Sequence, residues 1–377
     1  MADNKDKKVL NVPHLRFPEF TEEWKRKRFK DVCNITTGNK NTQDKSDDGI
    51  YPFYVRSQIV ERINSWTFDG EAILTAGDGV GVGKVFHYST GKIGVHQRVY
   101  ILSDFKCDGK YLYSYFAGNF YNRVKRMSAK NSVDSVRMEM IADMPISLPS
   151  NEEQKKIGHL LALLDERIAT QNKVIEDLKL LKSAIIERAY RNRSYHPCRI
   201  GDVIEQISER NKDKSIDMVL SVSNKQGFIN QSEQFEDRII ASEDTSNYKI
   251  VHKNDFAYNP ARINVGSIAR LTTIDTGIVS PMYICFRVKN GVATEYMEHF
   301  FSTSYFFYEM QKRLEGSVRQ CLSFESICNI PIYIPSSEEQ HTIGKKISVL
   351  LDKIDIETHY HCKLVEQKHY LLRQMFI

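Results

Sequence analysis

The sequence predicts an α+β fold with two tandem, mainly antiparallel-β domains, each followed by a long helix. The two helices are predicted to form an antiparallel coiled coil with pseudo-two-fold symmetry. Three observations support this fold. One helical segment occurs twice, 186 positions apart. The chain ahead of each copy has the β-branched residues, Gly turns and short alternating runs of a twisted sheet. Both helical segments carry apolar residues in alternating steps of three and four, which indicates a coiled-coil seam.

The repeated helix is the strongest of these signals. EEQKKIGHLLALLDERI at 152–168 returns as EEQHTIGKKISVLLDKI at 338–354. MPISLPSN precedes the first copy and IPIYIPSS the second. The paired prolines with alternating residues between them predict a short edge strand, and the Asn or Ser before Glu-Glu-Gln predicts a helix N-cap. A repeat of this length indicates a duplicated domain plus helix rather than a solenoid unit.

The domains ahead of the helices match more weakly. EAILTAGDGVGVGKV (71–85) parallels NDFAYNPARINVGSI (254–268), and GVHQRVYIL (94–102) parallels GIVSPMYIC (277–285). Five segments follow from these matches. They are an N-terminal segment 1–18, a first domain 19–150, a central helix 151–195, a second domain 196–336 and a C-terminal helix 337–377.

Each predicted helix of about 38 residues would be roughly 57 Å long, which is too long to pack on one small domain. Pairing of the two helices is therefore favoured over the alternative of two ordinary amphipathic helices. The apolar stepping also includes Leu181. The predicted seam residues are Ile157, Leu161, Leu164, Ile168, Leu178, Ile185, Ile343, Ile347, Leu350, Ile354, Leu364 and Leu371.

Bulk properties set limits on the class of protein. The 377 residues allow two or three domains, and the net charge of +5 permits a polyanionic partner without requiring one. The seven cysteines are scattered and form no C-x-x-C pair, which favours reduced thiols in a cytoplasm. We find no signal peptide and no apolar run long enough to span a bilayer. The sequence therefore predicts a cytoplasmic protein.

Catalytic motifs were sought without success. GDGVGVGK at 77–84 lacks the first Gly and the final Ser or Thr of a phosphate-binding loop, so we interpret it as a flexible or tightly turning strand connection. NPA at 259–261 stops short of the N-P-P-aromatic motif with which aminomethyltransferases hold a flipped base. The His and Cys residues of the last helix do not share a face suited to a metal. We therefore predict no catalytic residue and no metal ligand.

Basic residues and side chains able to read base edges are interleaved in the predicted loops. Any one of them is more often part of a solvated surface, but the set as a whole makes a nucleic acid a plausible partner. The candidates in the first domain are Lys84, His96, Gln97, Arg98, Lys130 and Asn131. The candidates in the second domain are Asn259, Arg262, Asn264, Arg319 and Gln320.

LPSNEEQKKIGHLLALLDERI and IPSSEEQHTIGKKISVLLDKI, each after a variable domain, resemble the specificity (S) subunit of type I restriction–modification enzymes. The resemblance covers essentially the whole chain. LLRQMFI at the C-terminus, paired with AIIERAY at 184–190, is also similar to the family's ending. The Leu-Asp pairs at 164–165 and 351–352 are one residue out of register with each other.

The resemblance implies a non-catalytic DNA-recognition subunit. Each variable domain would be a target-recognition domain that reads one half of a bipartite, asymmetric site in double-stranded DNA. The helices would space the domains and dock two modification subunits. This chain would bind no cofactor itself. S-adenosylmethionine would belong to the modification subunits, and ATP with Mg to the restriction subunits.

Three other functions were weighed. A self-contained modification enzyme would need an N-P-P-aromatic motif and a cofactor fold, which the sequence lacks. A coiled-coil scaffold would not explain two divergent domains with basic loops. A nonspecific nucleic-acid binder predicts binding that falls steeply with salt and discriminates little between sequences.

Overall fold

The structure is a computed structural model that describes residues 11–127, 135–224, 226–231, 244–316 and 320–377. The chain forms two compact units. Unit 1 comprises Met1–Lys173 and His359–Ile377, and unit 2 comprises Val174–Thr358. Both long helices are therefore divided between the units, because each half-helix contributes side chains to a different core.

Unit 1 begins with short strands that lead into a larger sheet. Its strands are β1 Lys25–Arg28, β2 Asn34–Thr37, β3 Tyr51–Tyr54, β4 Glu61–Ile63, β5 Phe68–Ala76, β6 Phe86–Val95, β7 Val99–Ser103 and β8 Pro145–Leu148. Its helices are α1 Phe29–Val32, α2 Gly109–Met127, α3 Met138–Ala142 and the first part of α4 Asn151–Tyr190.

The main sheet of unit 1 has six strands in the order β2-β7-β5-β6-β3-β4. Every pairing in it is antiparallel except that of β3 with β6. β1 and β8 form a separate antiparallel pair in which Lys25 lies opposite Leu148. The predicted edge strand before the long helix is thus present, and it pairs with the first strand of its own domain.

The core of unit 1 packs α2 against the main sheet and against both ends of the chain. Tyr111, Phe116 and Phe120 of α2 are fully buried there. Phe376, near the C-terminus, packs its ring against Tyr111 at a centroid distance of 5.1 Å. The residues that follow the second long helix thus complete the core of unit 1.

Unit 2 follows the same order of elements, with two additional strands ahead of its helices among the described residues. Its strands are β9 His196–Arg199, β10 Ile204–Ile207, β11 Val219–Ser223, β12 Gly227–Asn230, β13 Lys249–His252, β14 Phe256–Tyr258, β15 Ile268–Arg270, β16 Thr276–Val279, β17 Ile284–Val288 and β18 Pro331–Ile334. Its helices are α5 Ile200–Val203, α6 Thr294–Phe300, α7 Ser304–Gln311, α8 Phe324–Cys328 and the first part of α9 Ser337–Gln374.

Two four-stranded sheets, β10-β17-β14-β15 and β12-β11-β16-β13, form unit 2 together with the pair β9-β18. All pairings are antiparallel except that of β11 with β16. Phe256 and Phe286 stack at the centre of the core, with ring centroids 5.1 Å apart. The continuous helix α2 of unit 1 corresponds here to two shorter helices, α6 and α7. The break occurs because the Thr303 side chain caps a new helix by accepting the N–H of Phe306.

The long helices α4 and α9 contain 40 and 38 residues. None of the twelve predicted seam residues is exposed. Ile157, Leu161, Leu164, Ile347 and Leu364 are buried, and Ile168, Leu178, Ile185, Ile343, Leu350, Ile354 and Leu371 are half-buried. Leu181 lies outside the buried stripe, with 48% of its surface exposed. Leu350 occupies in the second helix copy the position that Leu164 occupies in the first, and it is half-buried. Leu351, the leucine of the second Leu-Asp pair, is 41% exposed.

Within unit 1 the two helices run antiparallel. Asp165 of α4 forms an ion pair with Lys368 of α9. Arg167, further along α4, lies 5.6 Å from the ring centroid of Tyr360, which is earlier in α9. Within unit 2, Ile186 of α4 and Ile347 of α9 belong to the same buried cluster. No helix among the described residues is long and apolar enough to cross a membrane.

Candidate nucleic-acid interface

Four loops of unit 1 meet beside the main sheet. They are the segments 38–50, 55–60, 77–85 and 96–98, each of which follows a strand. Gly77 N–H donates to the carbonyl of Arg98 at 2.8 Å, and Gln97 N–H donates to the carbonyl of Lys40 at 2.8 Å. A Cβ added at Gly81 would lie 2.4 Å from the carbonyl oxygen of Arg56, so only glycine allows this approach.

An ion-pair triad lies where these loops meet. Asp78 accepts a hydrogen bond from Arg56 Nη1 at 2.7 Å and one from Arg98 Nη1 at 2.7 Å. The side chains of Arg56 and Arg98 are 46% and 61% exposed, whereas that of Asp78 is only 18% exposed. Burial alone would raise the pKa of Asp78, but the two guanidinium groups outweigh it and hold that pKa below its ordinary value. The carboxylate stays ionised, and the triad carries a net charge of +1.

His96 and Gln97 form the turn that presents Arg98. His96 is 5% exposed, and its Nδ1 accepts the N–H of Arg98 at 3.0 Å. Its Nε2 lies 3.3 Å from the Thr42 hydroxyl. Burial, aided by the nearby guanidinium of Arg56, lowers the pKa of His96 and keeps the ring neutral. His96 therefore shapes the turn, whereas Gln97 is exposed beside a cavity of about 200 Å³ that Asp78 and Arg98 also line.

The glycine-rich segment 77–84 is a turning connection between β5 and β6, as the sequence predicted. Gly79 and Gly83 have φ angles of +76° and +66°, which favour glycine. Val80 is 97% exposed at this turn. Lys84 is exposed, with Nζ 5.8 Å from the ring centroid of Tyr121. The segment thus presents an apolar tip at Val80, close to Asp78 in the sequence, and an exposed cation at Lys84 beside α2.

The matching loop of unit 2 is closed by Asn259. This residue is 6% exposed, and its Oδ1 accepts the N–H of Ala261 at 3.0 Å. Its backbone N–H donates to the carbonyl of Ser267 at 3.1 Å. The side chain of Asn259 thus satisfies a backbone donor and its N–H a backbone acceptor within its own loop, and Asn is common in turns for the first of these roles. Arg262 is exposed and Asn264 half-buried on the same loop.

The remaining predicted contacts of unit 2 lie in the segment before α8. Gln320 is exposed, and Leu322 N–H donates to the carbonyl of Pro260 at 3.1 Å, which brings this segment to the loop of Arg262. Three further candidates, Lys130, Asn131 and Arg319, lie outside the described residues.

Not every arginine is available to a partner. Arg270, with an 11% exposed side chain, donates to Glu298 at 2.9 Å and also pairs with Glu295. Arg287 donates twice to Asp255, whose side chain is 1% exposed. Arg270 is itself nearly buried, and Arg287 uses two of its N–H groups on the buried carboxylate of Asp255. Exposed Arg56, Arg98 and Arg262 therefore form a distinct set.

The sequence analysis missed two residues that fix the start of each long helix. Gln154 and Gln340 are each 3% exposed. Gln154 donates to the carbonyl of Pro149 at 2.8 Å and accepts the N–H of Asp108 at 3.0 Å. Gln340 repeats both bonds, to the carbonyl of Pro335 at 2.9 Å and from the N–H of Ala293 at 2.7 Å. The signal was present, because both copies of the repeat contain this glutamine.

The neighbouring glutamates of the repeat differ. Glu153 has a side chain only 1% exposed and pairs with Arg16 through two hydrogen bonds of 2.7 and 2.8 Å. Glu339 is exposed and accepts a hydrogen bond from the Ser336 hydroxyl at 2.9 Å. The N-terminal segment thus adds an ion pair to the first helix start. Among the described residues, no group of three or more His, Cys, Asp or Glu side chains could hold a metal ion.

The fold and its loops define a class of protein with two related α+β units, each carrying a polar, partly basic loop surface, and two long helices. The family model for the type I restriction modification DNA specificity domain matches this chain twice, over residues 21–180 and 192–365. The chain belongs to that family. The resemblance noted from the sequence and the fold class it implied are confirmed.

Three curated relatives are specificity subunits. This chain is 29% identical to the EcoDI specificity subunit of Escherichia coli over 168 residues. The matched stretch covers 44% of this chain and 37% of that protein. The putative MjaX specificity subunit of Methanocaldococcus jannaschii is 23% identical, and the match covers 71% of this chain and 63% of that protein. The MjaVIII specificity subunit of the same organism is 26% identical, and the match covers 53% of this chain and 50% of that protein. The matches span between 37% and 63% of the relatives' lengths.

Two solved structures share the fold. The S subunit of a type I restriction–modification system from M. genitalium has a TM-score of 0.63 and 16% identity, with 97% of this chain and 99% of that chain covered. A chain from a study of complex assembly and conformational transition of the type I system has a TM-score of 0.54 and 12% identity, with 94% and 97% covered. At these identities the likeness concerns the fold alone.

Proposed function

We propose that this chain is the DNA sequence-specificity subunit of a type I restriction–modification complex. Each domain acts as a target-recognition domain and reads one half of a bipartite, asymmetric site in double-stranded DNA. The observation that carries the proposal is the double match to a DNA specificity domain, one match in each half of the chain. Exposed polar residues on the loops of both units support it, because Arg, Asn and Gln can read base edges.

The loop chemistry of the two units supports an asymmetric target. In the aligned repeat, Arg98 of unit 1 corresponds to Pro281 of unit 2, and Gly79 corresponds to Arg262. The arginines therefore stand on different loops in the two units. Two surfaces with different donors and acceptors select different base pairs, so a palindromic target is not expected.

The helices support a spacing and docking role. At 1.5 Å per residue, the 40 residues of α4 extend about 60 Å, enough to set half-sites about one DNA turn apart, roughly 34–36 Å. Leu163 and Val349 occupy the same position of the two helix copies and are 49% and 60% exposed. A large exposed apolar side chain repeated in this way suits one modification subunit on each copy.

We assign methyl transfer and the ATP-dependent chemistry to the partner subunits of the complex. We expect S-adenosylmethionine and the methyl-transfer residues in the modification subunits, and ATP with Mg in the restriction subunits. This chain supplies recognition, in keeping with the absence of a recognisable catalytic motif in its sequence.

Exchange of one domain tests this function. Residues 19–150 are replaced with the equivalent segment of a relative that reads a different site, and methylated motifs are mapped in cells that supply the modification subunit. We expect one half of the motif to change while the other half stays. A change in both halves would contradict the one-domain, one-half-site assignment.

If the unaltered complex bound DNA with no preference for any sequence, the alternative of a nonspecific nucleic-acid binder would be favoured. Absence of DNA binding would favour a coiled-coil scaffold.

A further inference from the structure

The triad of Arg56, Asp78 and Arg98 brings together three loops that are far apart in the sequence. Its two guanidinium groups are held by one carboxylate through hydrogen bonds of 2.7 Å each. Both arginine side chains are nevertheless about half exposed or more, at 46% and 61%. A guanidinium has five N–H donors, so one bond to Asp78 leaves others directed outward. The triad thus presents fixed donors to an external ligand.

The charge of the triad selects between a phosphate and a base edge. Asp78 is ionised, because the two arginines hold its pKa below the ordinary value against the opposing effect of burial. A phosphate would approach this carboxylate as well as the guanidinium groups, which weakens the attraction. A base edge carries no net charge. Guanine offers two acceptors, O6 and N7, that match two N–H groups of a single guanidinium.

The surroundings favour entry into a DNA groove. His96 Nδ1 accepts the backbone N–H of Arg98 and thereby fixes the turn that carries this arginine. Val80, on the adjoining glycine-rich segment, is 97% exposed. A protruding segment beside two oriented arginines is suited to contact base edges, and an oriented side chain loses less entropy on binding.

Building on the proposed function, we propose that unit 1 reads a G·C pair through this triad. Arg98, the more exposed arginine, donates two hydrogen bonds to O6 and N7 of the guanine. Asp78 is the positioning residue that orients Arg98, and Arg56 holds Asp78 from the opposite side. Sequence reasoning selected Arg98 but had no signal for Arg56, which is 42 positions away.

Removal of the N7 acceptor tests the assignment. Each guanine of the unit 1 half-site, identified by the domain exchange, is replaced in turn with 7-deazaguanine, which keeps base pairing. Binding to the complex purified with its modification subunits is measured at one salt concentration. We expect affinity to fall on the order of tenfold at one guanine. The Arg98→Ala variant removes every donor at this position, so it should bind DNA with guanine and DNA with 7-deazaguanine equally.

The Arg262→Ala variant is the matched control. It removes an exposed loop arginine of unit 2 and should keep the full response to 7-deazaguanine in the unit 1 half-site. The Asp78→Asn variant should reduce the ratio of affinities for DNA with guanine and DNA with adenine at that position. The melting temperature of this variant is measured in parallel with that of the unaltered complex. A loss of melting temperature with an unchanged base preference would make Asp78 a structural ion-pair residue only and would overturn its positioning role.

Three results would overturn the guanine assignment. They are a unit 1 half-site without a G·C pair, a complex that discriminates its target yet binds equally well with 7-deazaguanine at every position, and an Arg98→Ala variant whose affinity still falls with 7-deazaguanine. A complex that does not distinguish its target from random DNA would instead reject the proposed function itself.

Discussion

At the scale of single residues, the buried glutamines show how the repeat fixes the start of each long helix. Gln154 and Gln340 each join the end of an edge strand to the segment that starts the helical part of the domain. An amide side chain can do this because it carries both a donor and an acceptor. Both glutamine side chains are 3% exposed, so the loss of either one leaves buried or half-buried backbone groups without their partner.

Alanine at either glutamine is expected to destabilise its own unit by about 1–3 kcal/mol, the range for a buried polar group left without its partner. In the Gln154→Ala variant, amide exchange of Asp108 should accelerate. In the Gln340→Ala variant, exchange of Ala293 should accelerate. Each variant serves as the other's control in hydrogen-exchange measurements. Unchanged exchange at both amides would show that the amide bonds contribute nothing to stability.

Side-chain chemistry alone predicted the exposure of the candidate residues only in part. Gln97, Arg98 and Arg262 are exposed on the surfaces that sequence reasoning selected. His96 and Asn259 are buried and serve their own turns, because polar side chains in loops compensate nearby backbone groups first. Their contact with DNA stays a prediction that no observation yet supports.

At the scale of elements, the helices were the easiest part of the structure to predict. Their apolar spacing lies within one stretch of sequence, and the helices begin at Asn151 and Ser337. The predicted N-caps were wrong by one residue, because the hydroxyls of Ser150 and Ser336, not Asn151 and Ser337, accept the N–H groups of Glu153 and Glu339. Leu181 was misplaced because the stepping of three and four fits more than one face over a long helix. The strand pairings depend on contacts across many residues, and the sequence suggested only their antiparallel character.

Two leucines of α4, two positions apart, lie on a buried and an exposed face of the helix. Leu161 is 0% exposed in the core of unit 1, and Leu163 is 49% exposed. Leu161→Ala should lower the free energy of unfolding by about 2–5 kcal/mol, and Leu163→Ala by no more than about 0.5 kcal/mol. Tryptophan fluorescence during urea unfolding is suited to this test, because Trp24 and Trp66 both lie in unit 1. Equal losses for both variants would contradict the packing face assigned to α4.

At the scale of the whole molecule, the division of the chain is what the sequence could not predict. The repeat suggested domain borders at the helix starts, but the compact units divide within both helices. In unit 1, Leu15 N–H donates to the carbonyl of Gln374 at 2.9 Å, and Phe376 packs against Tyr111 and Tyr115. Such long-range closure depends on contacts between segments more than 250 positions apart, for which a single sequence offers no pattern.

The two units share their order of elements but carry different residues on their loops. Shared elements conserve the framework, while the loops are free to differ because they lie at the surface. This combination suits a protein whose two halves perform the same task on different ligands. The central claim is that the ligands are the two unlike halves of one DNA site.

Single-base methylation mapping in cells with and without this gene tests that claim most directly. We predict a split, non-palindromic motif with methylated adenines that disappears when the gene is deleted and returns when it is restored. If deletion left every methylated motif unchanged in cells with an active modification subunit, the specificity function would be contradicted.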